Sequence, residues 1–111
     1  MSQSRAYSDT FTGDGSGNIY KVNEPTSNAN IEPVGFVMSG TWNSATITLY
    51  LCTNTGTSPL VFAAVPDAVY TADVGDKWDV PTNCYFKLVA SGSGSPIPAL
   101  STTVRGDISK V

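Results

Sequence analysis

The sequence contains no histidine. That absence removes the commonest general base, the serine-histidine-aspartate and cysteine-histidine constellations, and most transition-metal sites. Charge is also scarce: 14% of residues are charged, against about 25% in an average globular protein. The six cations, Arg5, Lys21, Lys77, Lys87, Arg105 and Lys110, are scattered along a chain of net charge -3. No basic stripe exists to neutralise a phosphate backbone, so nucleic acid is not an expected partner. No apolar run approaches the roughly 18 residues that a membrane span needs, and Met1 to Arg5 is polar with no apolar segment behind it. The expectation is a chain neither inserted in a membrane nor exported by a signal peptide.

Cysteine is limited to Cys52 and Cys84, far apart and without a CxxC spacing, so a zinc site would lack ligands. Strand alternation bears on whether they pair. If Ile47, Leu49 and Leu51 face a core, Cys52 points outward; if Phe86 and Leu88 do, Cys84 points inward. A disulfide needs Cα atoms within about 7 Å and converging Cβ vectors. Two free thiols is the simpler reading.

What the chain does have is strand pattern and turn chemistry. Ala45 to Leu51 alternates apolar residues with β-branched or aromatic ones and predicts a half-buried strand. Val34 to Gly40 predicts another, joined to it as a hairpin through Gly40 to Ser44. Leu60 to Val65 and Ala68 to Thr71 flank a turn at Pro66-Asp67, where proline offers no ladder donor. Val74 to Asp79 reads as loop or short strand. Cys84 to Ala90 is a second well-marked strand, and Ser91 to Pro96 reads as a hairpin loop returning Ala99 to Val104 beside it. Ala6 to Thr12 and Asn18 to Val22 bracket Gly13 to Gly17, which reads as a hairpin turn. No window sustains a helical period. The expected fold is all-β: one domain, an antiparallel β-sandwich or jelly roll of about eight short strands. Within it, residues 1-30 form an N-terminal arm and hairpin suited to docking, and residues 31-111 form the body.

The candidates for catalytic or metal chemistry are few. Asp73, Asp76 and Asp79 are close enough to consider as paired carboxylates, but acidic residues beside Gly75 and Lys77 are what an exposed loop contains. Asp14 to Asn18 resembles part of a calcium loop and lacks its terminal glutamate. Gly13, Gly15 and Gly17 precede no helix, so they build no phosphate cradle. Arg105-Gly106-Asp107 spells an adhesion tripeptide, and a turn explains it more simply. No catalytic residue, cofactor or metal is therefore assigned, and the chain reads as a non-enzyme. Trp42, Tyr50, Trp78 and Tyr85 remain as aromatics able to line a protein interface or stack on sugar faces.

The string Gly40-Thr41-Trp42 through Leu49, followed by Cys84 to Val89 and a Gly/Ser loop, resembles small accessory proteins of tailed-phage virions. The likeness covers roughly residues 34 to 104. Lys87 stands where an arginine is expected, and Cys52 is unusual. The resemblance implies a capsid decoration (cement) protein, or alternatively a head-fibre or tail-fibre receptor-binding module, for which carbohydrate is one candidate ligand. It also implies a homo-oligomer, with a trimer favoured, located on the capsid surface of the virion. The implied partner is the major capsid protein or another virion protein.

Overall fold

Alternation along the chain becomes ten antiparallel strands in the computed structural model, which describes residues 4-23, 31-54, 57-93 and 99-111. They are β1 (Arg5–Phe11), β2 (Gly15–Ser16), β3 (Tyr20–Val22), β4 (Ile31–Gly40), β5 (Thr46–Cys52), β6 (Phe62–Tyr70), β7 (Val74–Pro81), β8 (Tyr85–Ser91), β9 (Leu100–Gly106) and β10 (Ile108–Lys110). There is no helix among the described residues. One sheet has the order β1-β9-β4-β7; the other runs β10-β3-β8-β5-β6, with β2 adding to β8 beside β3.

The pairing is nested: β1 with β9, β3 with β8, β4 with β7, and β5 with β6. A long hairpin folded over on itself produces that order, which is the jelly roll. Eight strands carry it, and β2 and β10 are short additions.

Nesting also corrects three local expectations. The segments on either side of Gly13 to Gly17 do not pair, because β1 lies in one sheet and β3 in the other. For the same reason β4 and β5 are not a hairpin, and β9 does not return beside β8. Period-two alternation reports which face a residue takes, not which strand it bonds. The turn expected at Pro66-Asp67 is instead the middle of β6. Proline is tolerated there because β6 is an edge strand and its register against β5 shifts between Thr48 and Tyr50. Val74 to Asp79 belongs to a strand of eight residues, paired with β4 along its whole length.

Residues 5-22 supply strands to both sheets, and Phe11, Tyr20 and Val22 are buried in the core. The described part of the 1-30 segment is therefore built into both walls of the sandwich. Residues 1-3 and 24-30 lie outside the described residues. Between the sheets Phe86 packs against Tyr20 at 5.6 Å and edge-on to Phe36 at 6.2 Å between ring centroids. Burying such a ring contributes about 2-3 kcal/mol. Cys52 and Cys84 are both buried and hold no disulfide. Their thiols have separate acceptors, Asn54 Oδ1 at 3.2 Å for Cys52 and the Cys52 carbonyl at 3.8 Å for Cys84.

Candidate docking face

Because β4 buries Val34, Phe36 and Met38, its intervening residues must face away from the core. The register then lays out the outer face of the four-stranded sheet. One row reads Ala6, Arg105, Gly35, Lys77; the next reads Ser8, Thr103, Val37, Gly75. Beyond them stand Thr10, Ser101 and Ser39 on one side, and Asp79 opposite Pro33 on the other. Val37 is 58% and Ile31 50% exposed. A groove of about 570 Å3 crosses this face between Arg105 and Lys77, with Gly35, Val37, Gly75 and Thr103 in its lining.

The four aromatics singled out in the sequence are not brought together. Trp42 donates its indole N–H to Asp73 Oδ1 at 2.7 Å, and the same oxygen accepts from Gly40 N at 3.2 Å. Trp42 thereby ties the β4-β5 loop to the β6-β7 loop. Trp78 donates to Tyr70 Oη at 2.6 Å, and Tyr70 in turn donates to Asp76 Oδ2 at 2.6 Å. This chain joins the edge strands of the two sheets. Burial, and then the bond to Asp76, pushes the Tyr70 hydroxyl up to about 12. The Tyr70 hydroxyl, followed by the Lys77 amide at 2.8 Å, holds the Asp76 carboxyl below its ordinary value.

Tyr50 and Tyr85 do share a surface, the outer face of the six-stranded sheet. Tyr50 sits opposite Lys87, whose Nζ lies 4.4 Å from the Phe62 ring centroid, and Lys21 Nζ lies 5.9 Å from that of Tyr85. Cations on this face therefore rest on neighbouring rings.

The other sequence candidates have local assignments. Asp73 holds Trp42, Asp76 holds Tyr70, and Asp79 faces outward, so the three do not form a carboxylate pair. Asp14 accepts from Ser93 N and Oγ at 3.1 and 2.7 Å, which keeps its carboxyl low. Arg105 faces outward on β9, Gly106 is buried, and Asp107 accepts from Asn23 Nδ2 at 3.1 Å. The tripeptide is not displayed as a loop. No group of three or more potential ligands gathers for a metal among the described residues.

Sequence reasoning missed Asp9. It is 9% exposed and accepts from Tyr20 Oη at 2.8 Å and from Asn18 Nδ2. Burial, then Asp9, raises the Tyr20 hydroxyl well above its ordinary value. Gly35, inside an otherwise apolar strand, was a signal for the groove, since an interior strand glycine often marks close approach of another group.

No known protein family matches the chain. No curated protein matches it either. Among solved structures it is similar to the crystal structure of the Yersinia pseudotuberculosis-derived mitogen (YPM), with 14% sequence identity, a TM-score of 0.49, and coverage of 96% of this chain and 86% of that one.

Proposed function

We propose that this chain is a non-catalytic structural protein of a tailed-phage virion, a capsid decoration protein that docks through the outer face of its four-stranded sheet. The observation that carries the reading is that face. It is broad, framed by Ser, Thr and Gly, with Val37 58% and Ile31 50% exposed. Modest polarity around exposed apolar side chains suits a contact repeated over a shell. Viral capsid domains also use the double-sheet jelly roll, although fold alone does not fix function. The partner is the major capsid protein or another virion protein, and a trimer is the favoured state of the bound chain.

Such a protein acts by linkage. It binds the assembled lattice in preference to free subunits, so bound copies shift the equilibrium toward the intact particle. Engaging several subunits at once raises effective concentration, and each contact can then be weak. Quantitative mass spectrometry of particles from the phage that encodes the chain is the test. A copy number near that of the major capsid protein supports decoration, and absence from particles overturns it.

A second reading, a fibre or tail receptor-binding module for carbohydrate, is favoured by Tyr50 and Tyr85 sharing one outer face. Glycan-array binding lost in both Tyr50→Ala and Tyr85→Ala supports it. Low copy number in particles points the same way.

A further inference from the structure

The groove across the four-stranded sheet contains two glycines that local structure does not require. Neither Gly35 nor Gly75 has a positive φ. A Cβ at Gly35 would meet its nearest neighbour, the Arg105 carbonyl oxygen, at an ordinary 3.8 Å, and one at Gly75 would meet none of the described residues within 4 Å. Gly40 is different: its φ is +134° and a Cβ there would collide with the Ala99 carbonyl oxygen. Glycine inside a strand forfeits packing and costs backbone entropy. At Gly35 and Gly75 nothing among the described residues offsets that cost.

Two cations flank the space the glycines leave. Arg105 and Lys77 sit on either side of Gly35 in one row, and strands about 4.8 Å apart set their Cα atoms roughly 10 Å from each other. Side chains as long as those of arginine and lysine can both reach a single small group above Gly35 from that spacing. Neither has an ion-pair or ring partner among the described residues, whereas Lys21 and Lys87 on the opposite face lie over rings. Asp76 also lines the groove, but its two oxygens already accept from Tyr70 and the Lys77 amide. Counting Arg105, Lys77 and Asp76, the groove keeps one net positive charge.

We propose that this groove receives an extended acidic segment of a partner protein, with a carboxylate held between Arg105 and Lys77 and a neighbouring apolar side chain against Val37. This rests on the docking reading above and names the partner's chemistry. Charge complementarity selects an acid. The open face and the 58% exposed Val37 beside the cations select a protein segment that carries apolar side chains as well. Two cations on a chain of net charge -3 do not serve a phosphate backbone.

The test is a titration of the isotope-labelled chain, followed by amide chemical shifts, with a short synthetic peptide alternating valine and glutamate. A valine-glutamine peptide is the control. Shifts at Gly35, Val37, Gly75, Lys77 and Thr103 are expected with the glutamate peptide, weakening about tenfold with glutamine or in Arg105→Gln. Gly75→Thr fills open space in a strand, so it should keep or raise the melting temperature while removing binding. Equal binding of both peptides, shifts confined to other residues, or undiminished binding by Gly75→Thr overturns the proposal. So does a second copy of the chain on this face, seen as shifts of the same amides on dilution together with self-association in sedimentation. Failure here is separable from failure of the decoration reading. Arg105→Gln incorporated into particles as well as the parent sinks the acidic segment alone. Absence of the parent chain from particles sinks decoration while peptide binding stands.

Discussion

On one long side of the sandwich Tyr20 of β3 donates its hydroxyl to Asp9 of β1 at 2.8 Å, and on the other Tyr70 of β6 donates to Asp76 of β7 at 2.6 Å. Each bond joins the two sheets at a flank, and each pairs a phenol with a carboxylate. Their surroundings differ. Asp9 is 9% exposed, with Phe11 buried nearby and Asn18 as a further donor, whereas Asp76 is exposed and can exchange its partners for water. The comparison separates bond length from bond worth. A hydrogen bond that water can replace contributes little net stability, and the same bond sealed from water is costly to break because its partner is left unsatisfied.

Four measurements break or sharpen that comparison. Asp9→Ala should have the largest effect, about 3 kcal/mol, because it strands the Tyr20 hydroxyl and the Asn18 amide beside the core. Denaturant unfolding at neutral pH measures it, and a loss below that of any Asp76 variant would dissolve the distinction. Tyr20→Phe should cost about 2 kcal/mol, since the carboxylate keeps its burial and loses a donor. Tyr70→Phe should cost about 1 kcal/mol, by the same argument in a wetter setting. Asp76→Asn should fall near 0.5 kcal/mol at neutral pH, in the range of exposed charged contacts.

The pH dependence carries the sign of each shift. Tyr70 is raised from 10.0 to about 12, so the stability its neutral form contributes is complete below pH 10 and is lost as pH rises through about 12. Tyr20 is raised in the same direction and adds to the alkaline loss. Asp76 is lowered from 3.8, so its contribution is present above that value and disappears as pH falls through the lowered one. Tyr70→Phe should therefore flatten part of the alkaline limb of a melting-temperature profile, and Asp76→Asn part of the acid limb, each measured against the parent chain.

Strand positions were legible where one face is buried and the other wet. Ile47 and Leu49 are buried, and so are Phe86 and Leu88, as their alternation required, whereas Leu51 is only half-buried and Cys52, expected to point outward, is buried. β7 was less legible because Gly75, Asp76, Lys77 and Asp79 give it the composition of a loop. It is an edge strand with few buried positions, so hydrophobic pattern has little to act on. Pro66 misled for a related reason, because a proline excluded from a central strand is harmless on an edge. Among the site residues, the aromatics were visible by type, yet their type did not say that Trp42 and Trp78 would be engaged by Asp73 and Tyr70. The groove was the least legible, since Gly35, Gly75, Lys77, Thr103 and Arg105 come from three separated strands.

From the sequence by itself came the all-β class, the lack of imidazole chemistry, the central strands, and which residues within each strand share a face. All of these follow from composition or from the pleat, whose period of two is set by neighbouring residues alone. Tertiary structure decided which strand bonds which, that residues 5-22 are part of both walls, and that Arg105 and Lys77 flank Gly35. Those features depend on β9 meeting both β1 and β4 and on the two sheets burying their inner faces together. The free energy of that burial belongs to residues distant in the chain, and no local pattern records it.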